Sequence, residues 1–234
     1  MPQKKAQLKR LSSEYLKEAL NRQRGSALAL VSGLAESKKY SMVEIFDVLS
    51  FAQQRVGSMW ANGTATTADE HFVTETTLDA IGIVSQKLKK YFRERRETAL
   101  LTNFIEGEFH NIGLKMFAEL LRFEGWDVEL YGSTLSVAQV FKHIEKSRKT
   151  FDLICISLTM GFNLGELRNV LKILRTNVLT NSSKIVVGSQ LFKNKKNRDA
   201  LVDEETRLPL ADMLASSFEQ GLKFIQSIPV KTSE

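Results

Sequence analysis

The period of the apolar pattern changes once along this chain, near residue 97, and that change restricts the fold more than any motif does. Before it, apolar residues recur at helical spacing: Tyr15, Leu16 and Leu20 within Ser12–Gln23, then Leu28, Leu30, Val31 and Leu34 within Ser26–Lys38. Gly25 is expected to break the two. Ser41 followed by Glu44 forms a capping box opening a helix through Ile45, Val48, Leu49, Ala52 and Val56 to Trp60, where Asn62-Gly63 ends it. Thr67 with Glu70 predicts a second capping box and a long helix through Phe72, Leu78, Ile81 and Val84 towards Phe92. Short links between helices predict a four-helix bundle over 1–96.

After residue 97 the pattern alternates. Short apolar runs at Ala99–Phe104, Trp126–Tyr131, Phe151–Leu158 and Lys184–Val187 predict four strands. Between and after them, Asn111–Phe123, Ser136–Lys146, Leu164–Leu174 and Leu210–Ile225 predict helices. Strands separated by helices of ten to fifteen residues form βαβ units, hence a Rossmann-like (flavodoxin-like) parallel sheet over 97–234. The fold class is α/β, a bundle followed by a parallel-sheet domain. With 234 residues, each half is large enough for its own core.

Composition excludes several function classes. Apolar residues make up 43% and charged residues 26%, the balance of a globular chain, and no apolar run is long enough to span a bilayer. One cysteine, Cys155, precludes an intramolecular disulfide or a cysteine-cage metal site and, buried in an apolar strand, is expected to be inert core. A cytoplasmic location is expected. The net charge of +6 is concentrated in the first ten residues, Lys87–Arg96 and Lys193–Arg198. None of these runs forms a helix-turn-helix or zinc-finger pattern, so direct nucleic-acid binding is not indicated.

Open parallel sheets bind ligands beyond the carboxyl ends of their strands, at the switch in strand order. That rule points to the loop Ile105–Ile112 and to the ends of the third and fourth strands, Ser157-Leu158-Thr159 and Gly188-Ser189. No glycine loop of the common nucleotide-binding types occurs. His110 is one of three histidines, and Glu108 two residues before it can accept its Nδ1 proton and orient Nε2 towards a metal. Gly113, at the start of the next helix, allows a ligand close to the backbone. His143 is expected at the surface.

Glu108-x-His110-x-x-Gly113, Ser157-x-Thr159 and Gly188-Ser189 resemble the cobalamin-binding signature DxHxxG…SxL…GG, with 43 and 28 residues between successive parts. The resemblance implies that His110 is the lower axial ligand of cobalt and Glu108 its orienting acid. Asn111 and Ile112 would flank the site, and Ser157, Thr159, Gly188 and Ser189 would line the slot for the displaced nucleotide tail. Glutamate replaces the signature aspartate, Thr159 its leucine, and Ser189 its second glycine, narrowing the slot.

In the bundle, Trp60 followed by Thr67 and by Glu70-His71, ten and eleven residues on, resembles the cap of CarH-type cobalamin-dependent photoreceptors. There the tryptophan packs over the upper face of the corrin, beside the adenosyl group. Without the resemblance, Trp60 reads as core, Glu70 as the capping-box acid and His71 as a buried imidazole. Ala61 stands where those photoreceptors carry a histidine, and no DNA-binding module is expected ahead of the bundle.

The leading expectation is an adenosylcobalamin sensor, light-responsive, acting through a partner such as a transcription factor or through homo-oligomerisation, with no catalytic turnover. One alternative is a corrinoid methyl carrier serving methyltransferases, although the lysine that often follows the glycine in such carriers is absent at Leu114. The other is a sensor or adaptor binding haem or a bilin.

Overall fold

The computed structural model describes residues 2–88, 97–105, 107–133 and 135–229, and divides the chain into two compact units, 1–92 and 93–234. The basic run Lys87–Arg96 and the predicted helix end near Phe92 lie largely outside the described residues.

The first unit contains α1 (Pro2–Leu20), α2 (Arg24–Glu36), α3 (Met42–Ala61) and α4 (Thr67–Leu88). The first helix begins ten residues earlier than its apolar pattern, so residues 2–10 of the basic N-terminal run are helical; among the described side chains of that run, Leu8 alone is buried. Gly25 does not break the helices and sits inside α2. The chain turns instead at Arg22, which takes φ +61° and donates to Asp69 Oδ1 at 2.7 Å. α1 packs on α2, α3 and α4 around Tyr15, Val31, Phe46, Leu49, Val73 and Val84, all fully buried. One polar contact lies within this core. Thr77 Oγ1 lies 3.0 Å from Tyr15 Oη, accepts from Gln53 Nε2 at 2.7 Å and donates to the Val73 carbonyl at 2.8 Å, so neither of these two hydroxyls is stranded.

The predicted capping box at Ser41/Glu44 forms as expected. The one opening α4 forms a residue earlier. Thr66 Oγ1 accepts from the Asp69 amide at 3.1 Å, and Asp69 Oδ2 accepts from the Thr66 amide at 2.9 Å. Aspartate, with its shorter reach, replaces glutamate as the returning acid, which leaves Thr67 and Glu70 for other contacts.

The second unit is a five-stranded, all-parallel sheet in the order β2-β1-β3-β4-β5. Its elements are β1 (Thr98–Asn103), α5 (Ile112–Phe123), β2 (Asp127–Ser133), α6 (Val137–Ser147), β3 (Leu153–Ser157), α7 (Leu164–Thr176), β4 (Lys184–Gly188), α8 (Lys195–Asp199), β5 (Met213–Ala215) and α9 (Phe218–Ser227). Residues of α6 and α7 share one core with Leu100, Ile154, Ile156, Ile185 and Val187. The alternate positions Ala99, Leu101, Cys155 and Val186 point to the opposite face, where α5 and α9 meet.

The predicted final helix over Leu210–Ile225 is divided. Its first part forms β5, and α9 starts at Phe218, capped by Ser217. Asp212 decides this locally. Its carboxylate accepts from the Ile185 amide at 2.8 Å and pairs with Arg175 and Lys184, drawing the segment alongside β4. Three residues are too few to show a period, so the pattern could not reveal this strand.

Candidate functional site: a carboxylate-held histidine at the switch point

Strand order reverses between β1 and β3, which places the crevice of the sheet at their carboxyl ends. The backbone ladder between them extends to the pair Leu101–Cys155. Past it, the side chain of Asn103, fully buried, bridges the strands: its Oδ1 accepts from the Ser157 amide at 3.1 Å.

His110 lies in the loop from β1 to α5. Its Nδ1 sits 2.7 Å from Glu108 Oε1, and its side chain is 56% exposed whereas that of Glu108 is fully buried. Glu108 Oε2 accepts from the amides of Thr159 and Met160, each at 3.1 Å, and from Asn163 Nδ2 at 3.4 Å. Burial drives the Glu108 pKa up. The bonds from His110 and the Met160 and Thr159 amides, with the charge of His110, outweigh it and hold the group at about 2, from an ordinary 4.5. An ionised carboxylate on Nδ1 fixes the tautomer and assigns metal ligation to Nε2.

The structure thus brings together Glu108, His110, Ser157 and the Thr159 amide. Thr159 contributes backbone, so threonine for leucine leaves this contact intact. Asn111 stands at the N-cap of α5 without a side-chain cap bond, Ile112 is half-buried, and a Cβ on Gly113 would meet nothing within 4 Å. Gly188 ends β4, with Ile156 O 4.0 Å from the position of an added Cβ. Ser189, nearly buried, turns its hydroxyl to accept from the Leu191 amide at 3.1 Å, capping the turn Gln190–Lys193.

Sequence reasoning missed Asn103, Met160 and Asn163, and two exposed aromatics in the same loops, Phe109 (67%) and Phe162 (79%). A polar residue closing the apolar run of β1 was the available signal for Asn103. Asn163 had none, because a turn asparagine is ordinary.

In the bundle, Trp60 is 53% exposed and its Nε1 donates to Thr67 Oγ1 at 3.1 Å. Trp60 is therefore not core. Glu70 Oε2 lies 2.5 Å from His71 Nδ1, and Oε1 accepts from Thr74 Oγ1 at 2.9 Å. His71, with 73% of its side chain exposed, is not a buried imidazole. Elsewhere, His143 Nε2 lies 2.9 Å from Tyr131 Oη and 3.2 Å from Glu129. Cys155 is buried, which raises its thiol pKa far above the ordinary value.

Among the described residues no group of three or more His, Cys, Asp or Glu side chains is placed to hold a bare metal ion. A single exposed imidazole on a buried carboxylate fits instead a metal whose other positions are filled by a macrocycle. No described helix is long and apolar enough to cross a membrane.

The family model described as B12 binding domain matches residues 99–208, from β1 to the segment preceding β5. Among solved structures, the chain is similar to the monomethylamine corrinoid protein of Methanosarcina barkeri, with TM-score 0.68 and 17% identity, covering 91% of this chain and 95% of that one. Its four helices followed by a parallel five-stranded sheet share the Rossmann-like fold of that corrinoid protein. A cobalamin-binding protein from Desulfitobacterium hafniense DCB-2 also matches, with TM-score 0.45 and 17% identity, covering 92% of this chain and 97% of that one. So does a chain of the methanol:cobalamin methyltransferase complex MtaBC from Methanosarcina barkeri, with TM-score 0.44 and 15% identity, covering 93% and 79%. No curated protein sequence matches.

Proposed function

We propose that this protein is a corrinoid carrier, binding cobalamin with His110 as the lower axial ligand and presenting it to a methyltransferase partner. The observation that carries the reading is the Glu108–His110 pair, a buried ionised carboxylate fixing an exposed imidazole at the switch point of a parallel sheet. The match of residues 99–208 to the B12 binding domain favours cobalamin over haem or a bilin. Likeness to a methylamine corrinoid protein across both units favours a methyl carrier over the light sensor expected from the sequence.

When bound, the corrinoid supplies a cobalt centre that takes up a methyl group and gives it up again. The chain's own residues bind and orient. His110 offers Nε2 to the metal, Glu108 holds the ring through Nδ1, and the Thr159 and Met160 amides with Asn163 hold Glu108. In this reading the chain performs no turnover alone; the partner enzymes do.

The test is the absorbance of the full chain after mixing with hydroxocobalamin and desalting, before and after reductive methylation. Retained corrinoid that takes up methyl, and that loses axial nitrogen ligation in His110→Ala, is expected. Failure to retain corrinoid, or retention and ligation indifferent to His110→Ala, overturns the reading.

A photosensor binding adenosylcobalamin stands second, favoured by one observation in the bundle. Trp60 is half exposed and anchored by Thr67, with the Glu70–His71 pair on the next helix, a set suited to an adenosyl group. Green light altering the molecular size or partner binding of the adenosyl-loaded protein would bring this reading forward.

A further inference from the structure

The serine that the cobalamin signature assigns to the nucleotide-tail slot is engaged differently here. Ser157 Oγ lies 3.1 Å from Asn103 Oδ1 and 3.3 Å from the main-chain oxygen of His110. A hydroxyl carries one proton, and both neighbours are acceptors, so that proton is committed within the chain. Asn103 completes the arrangement. Its Oδ1 also accepts from the Ser157 amide, and its Nδ2 points at the same His110 oxygen at 3.5 Å. Two side chains from the ends of two strands therefore converge on the carbonyl of the residue that carries the imidazole.

Asn103 is fully buried and stands just past the last backbone pair between β1 and β3, where the strands part. Its amide replaces the missing ladder bond and fastens the loop to both strands. A side-chain bond from Glu108 alone would fix the imidazole plane but leave its backbone free to shift. With the carbonyl also held, both ends of the residue are fixed.

We propose that Asn103 is a positioning residue for His110, and that Ser157 acts with it on the His110 backbone rather than on the nucleotide tail of a bound corrinoid. The inference rests on the cobalamin reading above and deepens it. It predicts that the tail is irrelevant to what Ser157 does.

Cobinamide, which lacks the nucleotide, separates the possibilities. Full-length wild type, Asn103→Ala, Ser157→Ala and the double variant are loaded with cobalamin or cobinamide. Affinity, and axial-nitrogen coupling in the electron paramagnetic resonance spectrum of the Co(II) form, are then measured. Loss of about one hydrogen bond is expected to lower affinity and the nitrogen-ligated fraction roughly three- to tenfold in each variant. The effect should be equal for both corrinoids, and the double variant should be no worse than Asn103→Ala.

Ser157→Ala weakening cobalamin binding but not cobinamide binding would return the serine to the tail slot and overturn the proposal. So would Asn103→Ala lowering the melting temperature with nitrogen coupling unchanged. Ser157→Ala removes only a half-buried hydroxyl and keeps the test open should Asn103→Ala fail to fold. Wild type retaining neither corrinoid overturns the cobalamin reading itself, and this inference with it, a result distinct from either of the others.

Discussion

Glu108 is the residue on which the site depends, because three hydrogen bonds to its Oε2 join the β1–α5 loop to the segment after β3. Its folded pKa of about 2 lies below the ordinary 4.5, so the ionised form is favoured in the fold. The stability this contributes is fully present above pH ~4.5 and is lost as pH falls towards 2, and amounts to on the order of 2–3 kcal/mol at neutral pH. Glu108→Gln should therefore melt well below wild type at pH 7, with the gap closing between about pH 5 and pH 2. A gap independent of pH, read by thermal unfolding across that range, would contradict the ionised assignment. The glutamate and histidine were legible as a spaced pair of residue types. The donors to Oε2 were not, because two are backbone amides that any sequence supplies and the third comes from a turn 55 positions away.

Elements were read well where they were long and poorly at their ends. The apolar period located all four bundle helices, but local chemistry set the start of α4. Because Thr66 caps that helix, Thr66→Ala should cost about 1 kcal/mol in denaturant unfolding, whereas Thr67→Ala should change stability by under ~0.5 kcal/mol. Thr67 has instead become the acceptor for Trp60, a contact between the end of one helix and the start of the next. Packing decides in the same way at the meeting of α5 and α9. A Cβ at Gly221 would lie 2.8 Å from Phe117 Cε2, a ring buried beneath it. Helix propensity alone favours alanine there by about 1 kcal/mol. Overpacking costs ~1–3 kcal/mol, so Gly221→Ala should be net destabilising despite lying within a helix. A rise in melting temperature would show that the ring can move aside.

Over the whole molecule, the two units correspond to the two grammars of the sequence, with 3.6-residue period in one and alternating strands and helices in the other. Periodicity determines which faces are apolar, and burying them leaves few arrangements: a bundle for the first, and for the second a parallel sheet covered on both faces. The signature residues around His110 marked where a ligand would bind, for the same reason that chain order and strand count predict the crevice. Strand order itself, the short β5 drawn in by Asp212, and the bonds that fix His110 were decided by tertiary structure alone. Asn103 and Ser157 are 54 residues apart, and Ser157 and His110 are 47 apart. A period reports only a residue's own face, and hydrogen bonds between residues so distant exist only once the strands have been placed side by side. The sequence by itself determined the two folds and the imidazole; the folded chain determined how firmly that imidazole is held.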